Sequence, residues 1–188
     1  KELDDLSLVL DWIENFQELK PEIDTSKISL FGHSRGGSIA MLKSAEDSRV
    51  RKVISWASPS SLLDRLPKKE KLAKWKELGI AYIYNSRTNQ NMPMHYQFYE
   101  NCIEFAPRLN IQNAVSTISI PHLIVHGSED PTVLLSEAVN IKSWNTNAKL
   151  HVVDGANHVL GGFHPYELDK FPKDLQKAID MTIIFLKG

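Results

Sequence analysis

Leu3, Leu6, Val9, Leu10, Ile13 and Phe16 recur every three or four positions, which predicts an amphipathic helix over 1–20. Pro21 and Asp24-Thr25-Ser26 end it. The period then changes. A short β-type run at 27–31 is followed by a glycine-rich turn, and a helix is expected to run from the turn to about Glu46. A second strand at 50–57 is closed by Ser58-Pro59-Ser60, and a third at 121–126 by Gly127 to Pro131. A short helix at 136–143 leads to a fourth strand at 149–153, closed by Asp154-Gly155-Ala156-Asn157-His158. Leu175, Ala178, Ile179, Ile183 and Leu186 share one face of a last helix over 172–187. Strands alternating with helices predict an α/β fold whose mostly parallel sheet is covered by helices on both faces.

The stretch 62–117 breaks this rhythm and reads as an insertion between two sheet strands. A basic amphipathic segment at 64–78 precedes Ile80-Ala81-Tyr82-Ile83-Tyr84, then a polar run at 85–94 that reads as a hairpin, then a helix over about 96–105. Lys68-Lys69-Glu70-Lys71 is expected to be a solvated helix face. The organisation inferred is a body made of 1–61 and 118–188 with a small cap or lid at 62–117.

With 188 residues the chain can bury one domain core. A formal net charge of -1 gives nucleic acid or an anionic membrane nothing to hold, and no apolar run spans a bilayer, so neither partner is expected. The single cysteine, Cys102, excludes an internal disulfide and reads as buried filler. It fits a reducing compartment, and a cytoplasmic location is the expectation. His122 and His126 stand four apart on a strand rather than a helix, so no metal site is expected.

Candidate chemistry concentrates at three strand ends. Gly32-His33-Ser34-Arg35-Gly36-Gly37 places a serine at a strand-to-helix turn, in the pattern G-x-S-x-G. Such a turn lifts the hydroxyl off the sheet, and its flanking glycines leave room for close strand–helix packing. A serine hydroxyl needs a base within hydrogen-bond reach, and the base needs an orienting carboxylate. Asp130 lies in the loop after the third strand, with Glu129 as its rival and helix capping as an alternative role. His158 lies in the loop after the fourth, with His164 as its nearest competitor. His122, His126 and His151 lie in strands and are expected to be packed, hydrogen-bonded imidazoles, whereas His95 lies in the insertion.

Gly32-His33-Ser34-Arg35-Gly36-Gly37, Val125-His126-Gly127-Ser128-Glu129-Asp130-Pro131-Thr132-Val133 and Gly155-Ala156-Asn157-His158 together resemble the α/β-hydrolase superfamily. The similarity is greatest to its dienelactone hydrolase, cinnamoyl (feruloyl) esterase and prolyl oligopeptidase-like groups. The resemblance implies an α/β-hydrolase fold and no cofactor. It implies Ser34 as nucleophile, His158 as general base and acid, Asp130 as orienting acid and the backbone N–H of Arg35 as one oxyanion donor. The expected reaction is hydrolysis of a small-molecule carboxylic ester through an acyl-enzyme. A serine peptidase of the prolyl oligopeptidase type and a non-catalytic relative are the alternatives. His33, Tyr82, Tyr84, Arg87 and His164 are candidate substrate contacts, Arg87 having Asp64 and Glu100 as other possible partners. The aromatic residues of the insertion are expected mostly to pack it onto the body. The match covers the carboxyl-terminal two-thirds of such a fold. The family's earlier strands, with the loop that supplies a second oxyanion N–H, are expected before Lys1.

Overall fold

The computed structural model describes residues 1–16, 22–85 and 88–188. In chain order its elements are α1 (Glu2–Asn15), β1 (Ser29–His33), α2 (Arg35–Glu46), β2 (Lys52–Trp56), α3 (Lys69–Leu78), β3 (Ile80–Asn85), β4 (Gln90–His95), α4 (Gln97–Glu104), α5 (Ile111–Thr117), β5 (His122–Gly127), α6 (Leu135–Trp144), β6 (Lys149–Val153) and α7 (Lys173–Lys187). The expected end of the first helix at 17–21 lies outside the described residues.

Four strands form one parallel sheet in the order β1-β2-β5-β6. Alternation along each strand splits the core in two. Val53 and Ile124 face one side, where Leu3 of α1, Met41 and Leu42 of α2, Ile111 and Val115 of α5 and Ile141 of α6 cover them. Ile54, Trp56, Leu123 and Val125 face the other side, under Leu175, Ala178 and Ile179 of α7. Coverage of both faces holds for the inner strands and fails at β1. Phe31 on this edge strand stays 54% exposed, with Trp56 edge-on to its ring. Among the described residues, no helix is long and apolar enough to cross a membrane.

The hairpin expected from the polar run is present, but its second strand begins at Gln90, so Gln90–His95 pairs antiparallel with Ile80–Asn85. Trp75 anchors the hairpin to α3 by donating its indole N–H to Met94 O at 2.9 Å, and its ring meets those of Tyr96 and Tyr99. The insertion contains a further helix, α5, that the periodicity does not reveal. Asn110 caps it by accepting from Asn113 N, and Ile111 and Val115, one turn apart, enter the body's core. Cys102 is buried on α4, and burial pushes its thiol up, away from the thiolate that reactivity requires.

His122 is 1% exposed and shares a 3.0 Å hydrogen bond between Nε2 and Ser55 Oγ, while its Nδ1 has no partner among the described residues. Burial disfavours the imidazolium and lowers the pKa from 6.5 to about 4. Below pH 6.5 the unfolded chain takes up a proton here that the folded chain refuses until about pH 4. Stability is therefore expected to fall through that window, by roughly 3 kcal/mol in total from this group. Urea midpoints measured from pH 7 to pH 4 should slope downward, and His122→Gln should flatten the slope. An unchanged slope in the variant would remove His122 as its source.

Candidate active site

β1 ends at His33, and Ser34 turns the chain into α2 with φ 54° and ψ -127°, a conformation that costs a non-glycine residue of order 1–3 kcal/mol. Ser34 N–H donates to Trp56 O at 2.7 Å, which ties the turn to the neighbouring strand. The turn folds the start of α2 back over β1. A Cβ on Gly32 would sit 2.2 Å from Gly36 O, and one on Gly37 would sit 1.8 Å from Ser58 Oγ. Around Gly36 itself, no described residue beyond its chain neighbours and its own helix backbone lies within 4 Å of where a Cβ would be. The expected close strand–helix approach of the two flanking glycines is therefore between Gly32 and the backbone of Gly36; Gly37 adds a second at Ser58, whereas a side chain on Gly36 itself would point into open space. Gly32→Ala is accordingly expected to destabilise by about 3 kcal/mol through overpacking against backbone. Gly36→Ala should be neutral or stabilising by up to about 1 kcal/mol. Denaturant titrations of the two variants check the contrast, which equal costs would sink.

The loops after β5 and β6 are zipped together. Ser128 N–H donates to Val153 O and Glu129 N–H to Ala156 O, both at 3.0 Å, and a Cβ on Gly127 would sit 2.2 Å from Ala156 O. This brings the two loops to Ser34. His158 Nε2 lies 3.1 Å from Ser34 Oγ, and His158 Nδ1 lies 2.8 Å from Asp130 Oδ2. Asp130 is buried, and its Oδ1 accepts from Thr132 N at 2.8 Å and Val133 N at 2.9 Å. Burial works to raise the Asp130 carboxyl, but the bonds from Val133 N–H, His158 and Thr132 N–H outweigh it and hold the pKa below the ordinary value. The two N–H bonds to Oδ1 also make Asp130 the cap of its turn, so capping and facing His158 are one arrangement. Glu129 is exposed, and His164 is exposed on the loop beyond His158.

Arg35 opens α2, so its backbone N–H belongs to a first turn that has no intrahelical acceptor. Its side chain points elsewhere. Nε and Nη2 donate to the Glu2 carboxylate at 3.0 and 2.5 Å, and the guanidinium sits 4.8 Å from the centroid of the Phe98 ring. This joins α1, the serine turn and α4. A cavity of about 520 Å³ lies there, lined by Arg35, Ile39, Met94, Phe98, Cys102 and Leu109 among others. A second, of about 300 Å³, is lined by Phe31, His33, Trp56, Phe163 and His164 among others.

The remaining candidate contacts separate. His33 donates Nε2–H to the His158 carbonyl at 2.8 Å and its ring packs 4.8 Å from the His158 ring, so it shapes the site from within. Tyr82 and Tyr84 stand 64% and 60% exposed on β3 and line neither of these two cavities. Arg87 lies outside the described residues. Sequence reasoning read His126 only as a packed strand imidazole. The signal available was its place four residues before Asp130, at the end of the same strand.

A model of the prolyl oligopeptidase family matches residues 1–171. Among solved structures, the chain is similar to DcsB in complex with its substrate analogue, at 16% identity over 98% of this chain and 71% of that one, with a TM-score of 0.73. It is similar to Est1E from Butyrivibrio proteoclasticus, at 19% identity over 98% of this chain and 68% of that one, TM-score 0.62. It is also similar to the esterase domain of a Rhodothermus marinus protein, at 18% identity over 86% of this chain and 62% of that one, TM-score 0.57. At such identities the likeness is one of fold. The chain thus spans 62% to 71% of the length of these three structures. No curated protein matches it.

Proposed function

The chain belongs to the prolyl oligopeptidase family, within the α/β-hydrolase fold, and from that premise we propose that it is a serine hydrolase that cleaves a small-molecule carboxylic ester. The observation that carries this reading is the unbroken relay of 3.1 and 2.8 Å from Ser34 through His158 to Asp130, on a serine held at positive φ.

Ser34 Oγ attacks the ester carbonyl carbon while His158 Nε2 takes its proton. Asp130 holds the imidazole with Nδ1–H toward itself and stabilises the imidazolium as it forms. The carbonyl oxygen becomes an oxyanion, for which Arg35 N–H is one donor at the start of α2. Collapse of the tetrahedral intermediate expels the alkoxide, which His158 protonates, and leaves the acyl group on Ser34. Water deprotonated by His158 then attacks the acyl carbon and releases the acid, regenerating Ser34. The 520 Å³ cavity beside Arg35 is not lined by Ser34, Asp130 or His158; it sets an apolar stretch of Ile39, Met94, Phe98 and Leu109 against the charged Lys1, Glu2 and Arg108, and that stretch suits an apolar group of the substrate.

Family membership favours one second reading, a serine peptidase, with the same residues cleaving an amide. Intact-mass labelling by a fluorophosphonate, with Ser34→Ala as control, tests the common chemistry. Matched ester and acyl-amide substrates separate the two readings, since an ester hydrolase turns over the first and a peptidase both.

A further inference from the structure

His126 sits at the end of β5 and is fully buried, four residues before Asp130. Its Nε2 lies 2.7 Å from Val133 O, and because a carbonyl only accepts, Nε2 carries the proton and donates it. The opposite end of the same residue is also held, for Val133 N–H donates to Asp130 Oδ1 at 2.9 Å. Val133 is therefore gripped at its N–H by Asp130 and at its C=O by His126. The turn between them can neither slide along β5 nor rotate the carboxylate without breaking one of these buried bonds. The same Nε2 lies 3.5 Å from Asp130 Oδ2, the oxygen that faces His158 Nδ1 at 2.8 Å. His126 Nδ1 has no partner among the described residues. A proton there would leave an unpaired N–H in a dry site, whereas one on Nε2 has the Val133 carbonyl as its acceptor, so the geometry assigns the donor to Nε2.

We propose that His126 is a positioning residue that clamps the Val133 carbonyl and thereby fixes the Asp130 carboxylate against His158. The inference rests on the reading of Ser34, His158 and Asp130 as a catalytic relay. It predicts that the Nε2–H donor, rather than the volume of the ring, is what the relay requires. His126→Met fills similar space with no donor, whereas His126→Gln places an amide N–H near the position of Nε2.

The test uses the whole chain and two readouts. The first is the strongly deshielded proton NMR signal of His158 Nδ1–H on Asp130, assigned by its loss in Asp130→Asn. The second is Ser34-dependent hydrolysis of a p-nitrophenyl ester, resolved into kcat and KM. His126→Met is expected to lose or shift the deshielded signal and to lower kcat roughly 10²-fold, the cost of about an ångström of misplacement, with KM changed less than about twofold. His126→Gln should restore the signal and most of kcat, which a merely structural, space-filling role does not predict. Should His126→Met fail to fold, long-range proton–nitrogen spectra of the unaltered protein decide: Nε2–H on His126 is required, and Nδ1–H overturns the inference. A wild-type chain with the deshielded proton and Ser34-dependent turnover, whose folded His126→Met keeps both, removes the clamp alone. A wild-type chain with neither removes the relay reading and the clamp with it.

Discussion

Ser34→Ala is expected to abolish fluorophosphonate labelling and to lower ester hydrolysis by roughly 10⁴- to 10⁶-fold, the range seen when the nucleophile of a working triad is removed. The size of the effect follows from the geometry. The substitution deletes only Oγ, the atom 3.1 Å from His158 Nε2, and keeps Cβ. Alanine inherits the same positive φ that serine already tolerates, and Ser34 N–H still donates to Trp56 O. The fold should therefore survive, with stability changed by about 1 kcal/mol or less. KM for substrates still bound should move little, because the cavity walls beside Arg35 are untouched. The loss should fall almost wholly on kcat and on the phosphonylation rate. One adduct per wild-type chain and none on the variant is the expected mass spectrum. An adduct that persists on the alanine variant would place the reactive group elsewhere and sink the proposed chemistry.

The parts of this molecule that were legible from residues alone are those set by strong periodicity or obligate turn chemistry. β6 was readable to the residue because Lys149–Val153, with Leu150, Val152 and Val153, is a short β-type run stopped by Asp154-Gly155. α7 was readable from five apolar positions on one face. Ser34, Asp130 and His158 were readable as a set because each follows a strand, and a parallel sheet gathers such loops at one edge. α5 was not, since seven residues ending Val-Ser-Thr carry weak helix propensity, and its formation depends on the Asn110 cap and on Ile111 and Val115 meeting the core. The second hairpin strand was hidden because Gln90-Asn91-Met92-Pro93-Met94-His95 has little alternation, being exposed along most of its length. The distinction between Gly36 and Gly37 was beyond sequence, for it depends on where Ser58 from another strand end comes to rest. Which of the seven histidines act on one another was equally hidden. The grip of His33 on the His158 carbonyl spans 125 positions, and its spacing has no signature.

Asp130→Asn is expected to cost about 10⁴-fold in kcat with the structure intact, close to the loss that removing an orienting carboxylate brings in other serine hydrolases. The asparagine oxygen can keep the two bonds from Thr132 and Val133 N–H, which hold the turn. Its NH₂ must then take the position of Oδ2, 2.8 Å from His158 Nδ1. That amide is a donor where the carboxylate was an acceptor, so Nδ1 has to accept and the imidazole proton moves to Nε2. Nε2–H then faces Ser34 Oγ with no lone pair to receive its proton, and the base is silenced although every distance is kept. The wild-type carboxylate does not lose its charge in the working range. Its pKa is held below 3.8, so the stability it contributes is complete above that value and is lost only as pH falls through the folded pKa. Any acid decline in activity near pH 5–6 must therefore come from another group. Glu129 is the internal control, since it is adjacent in sequence, exposed, and among the described residues bonded to the site through its backbone N–H on Ala156 O. Glu129→Gln should leave kcat within about twofold. Phosphonylation rates and ester turnover of the two variants give the comparison directly. Equal losses in both, or full activity in Asp130→Asn, would show that the buried carboxylate does not set the tautomer of His158.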